Sequence, residues 1–181
     1  MYVVIILGFL CFIVYLFFSF KRINSAEFGS PYLPLETKVV EGIMKMVDLK
    51  KGDVFYDLGS GDGRLVIAAA LRGVKAYGVE YSFFRVWFSR WKIFWLGLNS
   101  RAKIIRANIF EVDLSKASVV NVYLSEKTNN LLTEKLEKEL KNRARVVGVA
   151  FKFSKWTPVE INPNGPVFGP IYLYRDFKKE R

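Results

Sequence analysis

The sequence predicts a doubly wound, Rossmann-like α/β sheet of about seven strands, preceded by one N-terminal transmembrane helix. Three observations carry this prediction. Residues 53–64, Asp-Val-Phe-Tyr-Asp-Leu-Gly-Ser-Gly-Asp-Gly-Arg, join an apolar run to a glycine-rich turn and then to an Ala- and Leu-rich segment. Strand, glycine turn and helix start is how an α/β sheet builds a small-molecule site at the carboxyl ends of its strands. Short apolar runs alternate with helical patterns along the rest of the chain, and residues 2–20 carry no charge.

Residues 2–20 as a helix would be about 28 Å long, close to the ~30 Å hydrocarbon core of a bilayer. A cleaved signal peptide fits poorly: no basic residue precedes the stretch, and Asn24-Ser25-Ala26 is a weak cleavage site. Lys21 and Arg22 follow it directly, which places the C-terminal domain in the cytoplasm by the positive-inside rule. The expected division is an anchor with its basic flank over 1–22, a linker over 23–36, and the α/β domain over 37–181.

In the linker, Pro31-Tyr32-Leu33-Pro34 should be extended, because a residue before proline is pushed out of the helical region. Glu36 or Thr37 caps a helix over 37–47, where Val39, Val40, Ile43, Met44 and Val47 recur at helical spacing. Lys50 to Asp53 turn into the first strand, Val54–Tyr56, and a helix over 64–72 follows the glycines. Lys75–Glu80 is the second strand and ends in an acid. Residues 101–106 form the third strand, 119–124 the fourth and 145–151 the fifth, with an amphipathic Glu/Lys helix over 130–141. Residues 158–161 and 167–174 read as a terminal pair joined by the turn chemistry of Asn162-Pro-Asn-Gly-Pro166.

Residues 82–98 form a helix with a surplus of aromatic residues. Arg85, Ser89 and Lys92 share one stripe, while Phe83, Phe84, Trp87, Phe88, Trp91, Phe94 and Trp95 cover most of the remainder. A helix packed on one sheet needs an apolar stripe a little over 100° wide, and this one offers more. The excess suits either a headgroup interface or packing against the linker and core.

The loop spacing selects the ligand. A dinucleotide fingerprint is G-x-G-x-x-G, but here the third glycine comes one residue early, giving D-x-G-x-G-x-G with Arg64 at the expected position. Asp57 and Asp62 would repel phosphate and pair with an ammonium or sulfonium. The ligand loop is therefore Asp57, Gly59, Ser60, Gly61, Asp62 and Gly63. Glu80, seventeen residues beyond Gly63, is placed to bind both hydroxyls of a ribose. Asn108, after the third strand, offers a donor and an acceptor to an adenine edge.

Composition narrows the chemistry. The 28 basic and 17 acidic residues give a net charge of +11, which favours an anionic partner: an acidic membrane surface, nucleic acid or an acidic protein. Aromatic residues are not interleaved with Lys and Arg across the fold, so nucleic acid is the weaker choice. There is no histidine and a single cysteine, Cys11, among apolar residues. Intrachain disulfides, a Cys/His zinc cluster, Ser-His-Asp chemistry and a thiol nucleophile therefore lose ground, and no metal site is expected.

The loop resembles the first motif of class I S-adenosylmethionine-dependent methyltransferases. Over about residues 30–175 the chain resembles the small protein-lysine methyltransferases, which include an archaeal broad-specificity enzyme and membrane-anchored enzymes acting on the ATP synthase c-subunit. The matching stretches are Pro31-Tyr-Leu-Pro34, Tyr56 to Arg64, Gly78-Val-Glu80, Asn108 to Asp113, Leu136 to Leu140, Arg145-Val-Val147, Trp156 and Tyr172-Leu-Tyr174. The resemblance implies S-adenosylmethionine as cofactor and lysine of a protein as acceptor. Three departures fall on the acceptor side: Leu35 for the family's Thr, Val149-Ala150 for polar residues ending the fifth strand, and Ser125-Glu126 ending the fourth.

Methyl transfer needs a nucleophile in line with the sulfonium methyl, and orientation and exclusion of water are the main contributions. Tyr32, Phe151, Phe153 and Trp156 are candidates for an aromatic slot around the acceptor amine. Ser125 and Glu126 are the side-chain candidates for general base. The leading expectation is a membrane-anchored protein-lysine methyltransferase. A lipid or small-molecule methyltransferase and a non-catalytic cofactor-binding module remain as alternatives.

Overall fold

The computed structural model describes residues 33–177, together with Gly8 and Phe12, both helical. The rest of the expected anchor and the linker through Tyr32 lie outside the described residues. Among the described residues no helix is long and apolar enough to cross a membrane.

Within residues 33–177, four helices and seven strands follow in order: α1 (Thr37–Val47), β1 (Val54–Leu58), α2 (Arg64–Leu71), β2 (Lys75–Glu80), α3 (Phe83–Trp95), β3 (Ala102–Arg106), β4 (Val119–Val122), α4 (Glu126–Glu139), β5 (Arg145–Val149), β6 (Glu160–Asn162) and β7 (Ile171–Tyr174). The strands form one sheet in the order β3-β2-β1-β4-β5-β7-β6. β1 to β5 run parallel, and β7 inserts antiparallel between β5 and β6. The strand order reverses between β1 and β4. That reversal opens a crevice at their carboxyl ends, where α/β sheets bind ligands.

The apolar patterns explain the layers. Val40, Ile43, Met44 and Val47 of α1 pack with Leu65, Val66 and Ala69 of α2 and with Val86 and Ile93 of α3 in a first core. Leu132 and Leu136 of α4 join Leu114, Val120, Val146, Phe153 and Tyr174 in a second core. Most central-strand residues are wholly buried, so the strands read as nearly continuous apolar runs, as parallel sheets require.

Several boundaries differ from the sequence reading, each with a local cause. α4 begins at Glu126 instead of Asn130, because the Ser125 hydroxyl accepts from the Thr128 N–H and caps the helix. α3 stops at Trp95: Gly97 takes φ +66, Gly97 N–H donates to Phe94, and Leu98 N–H donates to Ile93. These are the paired bonds of a Schellman stop. β4 ends at Val122 and β5 at Val149; Ala150 turns to φ +65, and the Phe151 N–H folds back to the Val149 carbonyl at 2.8 Å. Glu36 precedes α1 in extended backbone with no side-chain capping bond.

Candidate functional site

The glycine loop lies at the β1 end of the crevice and is held by the end of β2. Gly59 and Ser60 N–H both donate to the Val79 carbonyl, at 2.8 and 3.0 Å. Gly61 N–H donates to Glu80 Oε2 at 3.0 Å. Gly59, Gly61 and Gly63 take φ of +81, +55 and +77. Side chains rarely adopt that region. A Cβ on Gly59 would also lie 3.0 Å from Leu124, and one on Gly63 3.0 Å from Ser89. The turn thus requires glycine at these positions, with Leu124 and Ser89 packed directly on its backbone.

Glu80 is buried and braces the loop. Its Oε1 accepts from Ser82 N–H at 2.8 Å and pairs with Arg85 Nη2 at 3.1 Å, while Oε2 holds Gly61. A carboxylate has about four acceptor positions, so capacity remains for a ribose hydroxyl.

Asp57 lies near the end of β1, fully buried and directly opposite Asn121 of β4 in the strand register. Asn121 Nδ2 donates to Asp57 Oδ1 at 2.8 Å. Burial raises the Asp57 pKa to about 7; the Asn121 bond opposes the rise, and the nearby charges of Glu80 and Asp62 add to it. The site therefore holds a carboxylate that a ligand cation would stabilise in its ionised form.

Asp62 is arranged differently from the sequence expectation. Its carboxylate pairs with Arg64 Nε at 2.8 Å and Nη2 at 2.9 Å, and with Lys92 Nζ at 3.2 Å. Burial pushes its pKa up, but the Arg64 and Lys92 contacts outweigh this and hold it below the usual range. Its charge is already balanced within the protein, whereas Asp57 has no cation beside it among the described residues. Arg64 also donates to the Leu35 carbonyl, tying the segment before α1 to the glycine loop.

Asn108 stands just beyond β3, where its Oδ1 accepts from Phe110 N–H at 3.1 Å and its Nδ2 donates to Glu111 at 3.3 Å. Ser60 is buried against β2. Its Oγ, like Asn121 Oδ1, has no hydrogen bond among the described residues.

The acceptor side departs from the expected aromatic slot. Phe153 is wholly buried and stacks on Trp156 at 4.5 Å; Trp156 stacks on Phe177 at 4.3 Å and donates its Nε1–H to Glu137 at 2.8 Å. These two rings belong to the second core: Trp156 is stacked between Phe153 and Phe177, and Tyr174 of β7 meets both rings edge-on. Phe151 is half-buried at the turn after β5, with its carbonyl accepting from Asn129 Nδ2 at 2.9 Å. Tyr32 lies outside the described residues. The Ser125 hydroxyl is the α4 cap, and Glu126 Oε1 accepts from Ser154 Oγ at 3.1 Å.

Three features escaped the sequence reading. Asn121 sits in the apolar run Val119-Val-Asn-Val122, and a lone amide there was the available signal. Gly78 lies inside β2, where an added Cβ would fall 2.5 Å from Ser60 Oγ and 2.7 Å from Ile104 Cδ1. A strand glycine marks such close approach. The polar stripe of α3 also points inward: the Ser89 hydroxyl lies 3.0 Å from the Gly61 carbonyl and 2.7 Å from the Arg85 carbonyl and shares its proton between them, beside the Arg85–Glu80 and Lys92–Asp62 pairs.

The donor set fits S-adenosylmethionine. Asp57 suits a cationic head group, the glycine backbone a closely approaching chain, and Glu80 a ribose. Comparisons with known proteins agree. The model of the ANTKMT methyltransferase domain matches residues 57–160. A protein-lysine N-methyltransferase of Saccharolobus islandicus is 40% identical over 148 residues, covering 80% of this chain and 92% of that protein. The Homo sapiens lysine N-methyltransferase of the ATP synthase c-subunit is 37% identical over 135 residues, covering 75% of this chain and 58% of that longer protein. A Salinibacter ruber RNA methyltransferase solved with S-adenosyl-L-homocysteine superposes with a TM-score of 0.75 at 30% identity, covering 82% of this chain and 96% of that one. The chain belongs to the S-adenosylmethionine-dependent protein-lysine N-methyltransferase family.

Proposed function

We propose that this chain methylates lysine in a protein at a membrane, to which residues 2–20 anchor it with the catalytic domain on the cytoplasmic side. The observation that carries the catalytic reading is the buried Asp57–Asn121 pair at the switch point, beside a glycine loop braced by Glu80. The lysine acceptor is supported by relatives named for that activity. The anchor reading rests on the uncharged stretch 2–20 followed by Lys21 and Arg22.

Bound S-adenosylmethionine supplies an electrophilic methyl group on a sulfonium. The chain's own contribution is binding, orientation and exclusion of water. Asp57 holds positive charge in a buried setting, Glu80 fixes the loop and the ribose end, and the glycine backbone permits close approach. Deprotonation of the incoming lysine is favoured by its desolvation, which lowers an amine pKa. Ser125 and Glu126 already have structural partners, so a dedicated side-chain base is not required by this reading.

Radiolabelled methyl transfer to native membranes tests it. Label in the protein fraction is expected. Label in the lipid extract instead would indicate a lipid methyltransferase, and label in added RNA would follow the Salinibacter ruber relative. No label despite tight cofactor binding would indicate a non-catalytic module.

A further inference from the structure

The inward turn of α3's polar stripe leaves its aromatic stripe outside. Phe83, Trp87, Phe88, Trp91, Phe94 and Trp95 are between 43% and 70% exposed, on a helix whose only buried residues are Val86, Ser89 and Ile93. Most soluble domains avoid a contiguous apolar face of this kind unless something covers it.

The chemistry beside that face says what covers it. From Tyr81 to Phe110 the chain has no Asp or Glu, while it carries Arg85, Arg90, Lys92, Arg101, Lys103 and Arg106. Arg85 and Lys92 pair inward with Glu80 and Asp62. The other four are exposed to solvent. Arg90 donates to the Ile104 carbonyl at 2.7 and 3.0 Å, which sets its charge along β3, the edge strand. Arg106 lies over the Phe83 ring at 5.5 Å. An open groove of about 600 Å³ between α3 and β3 is lined by Arg90, Asn99, Lys103 and Arg106 among others.

We propose that the outer face of α3 and the adjoining edge of β3 dock on an anionic lipid surface, with the aromatic rings in the headgroup–acyl boundary and the basic edge on the headgroups. A bilayer presents negative charge directly beside hydrocarbon, which matches a Trp/Phe row directly beside Arg and Lys. Self-association through the same face would bring the basic edges of two copies together. None of these residues belongs to the stretch 2–20, and the docking does not depend on the identity of the methyl acceptor. Because α3 begins at Phe83, just after Glu80 at the end of β2, docking would hold the cofactor site close to the lipid surface.

Tryptophan fluorescence tests this cleanly. Of the four tryptophans, three are on α3 and the fourth, Trp156, is buried in the core. The full chain is reconstituted in vesicles of phosphatidylcholine alone or mixed with phosphatidylglycerol, each with brominated acyl chains. Quenching of most of the emission is expected with phosphatidylglycerol, falling sharply in phosphatidylcholine alone and in the Arg101→Glu/Lys103→Glu variant. That variant should keep wild-type cofactor affinity, which verifies its fold; Arg106→Glu serves as the alternative if it does not. Unquenched emission with phosphatidylglycerol overturns the proposal, as does equal quenching in both lipids. Burial of the tryptophans against a second copy or a cross-linked protein, without quenching, also overturns it.

Discussion

Asp57 and Asn121 face each other across the β1–β4 switch point, in register and 2.8 Å apart, as a buried acid and the amide that holds it. The pairing includes no cation, and burial lifts Asp57 to about 7. The crevice therefore carries a carboxylate whose charge depends on what binds beside it.

This gives cofactor binding a pH dependence with a definite sign. A cationic ligand pairs with ionised Asp57. Below pH 7 the free protein holds the proton, so affinity should fall by up to about tenfold per pH unit. The ligand-free domain should move the other way. The folded pKa of about 7 exceeds the ordinary 3.8, so this group adds stability as pH falls between those values. Calorimetric titration and thermal melts from about pH 8 to about pH 5.5 check both signs together.

Asp57→Asn should separate stability from function. It removes a buried charge that the fold disfavours, so the ligand-free domain at about pH 8 should become more stable, by a few kcal/mol at most. Cofactor binding should drop by about a hundredfold or more, since a buried charge pair is lost. Asn121→Val should instead raise the Asp57 pKa further, moving the midpoint of the affinity profile to higher pH. Melting curves and calorimetric titrations of the two variants read these effects separately.

Gly78→Ala should weaken cofactor binding without touching the cofactor. Its Cβ would collide with Ser60 and Ile104 and push the glycine loop off the end of β2. Overpacking of this kind costs about 1–3 kcal/mol. Adding Ser60→Gly should restore part of the loss, because both Ser60 contacts disappear and only the Ile104 contact remains. Affinity measured across the double-mutant cycle reads the coupling.

Ser125→Ala should behave as a cap deletion. Loss of the bond to Thr128 N–H should cost about 1 kcal/mol. Methyl transfer per folded molecule should stay within about twofold of wild type, a difference well under about 1 kcal/mol. A much larger drop in turnover at unchanged stability would give Ser125 a chemical role.

Much of this architecture was legible because it rests on local rules. The glycine loop, the β2 terminal acid and the α1 periodicity follow from backbone conformation and burial alone. What escaped depends on which strands become neighbours. Asn121 acquires meaning only when β4 lies beside β1, and Gly78 only when Ser60 packs on β2. The same limit applied to α3: periodicity separated its polar and aromatic stripes, but only packing, with Val86 and Ile93 in the core and Ser89 and Lys92 on the loop, shows which one faces inward. Phe153 and Trp156 looked like pocket residues because aromatic composition does not distinguish a slot from a core.

The most direct test of the central claim is to incubate the full chain and its Asp57→Ala variant with native membranes and methyl-labelled S-adenosylmethionine, then hydrolyse the labelled protein to amino acids. The account predicts label in N-methylated lysine for the wild type and its loss in the variant. Label on any other amino acid, or equal labelling by the two proteins, would contradict it.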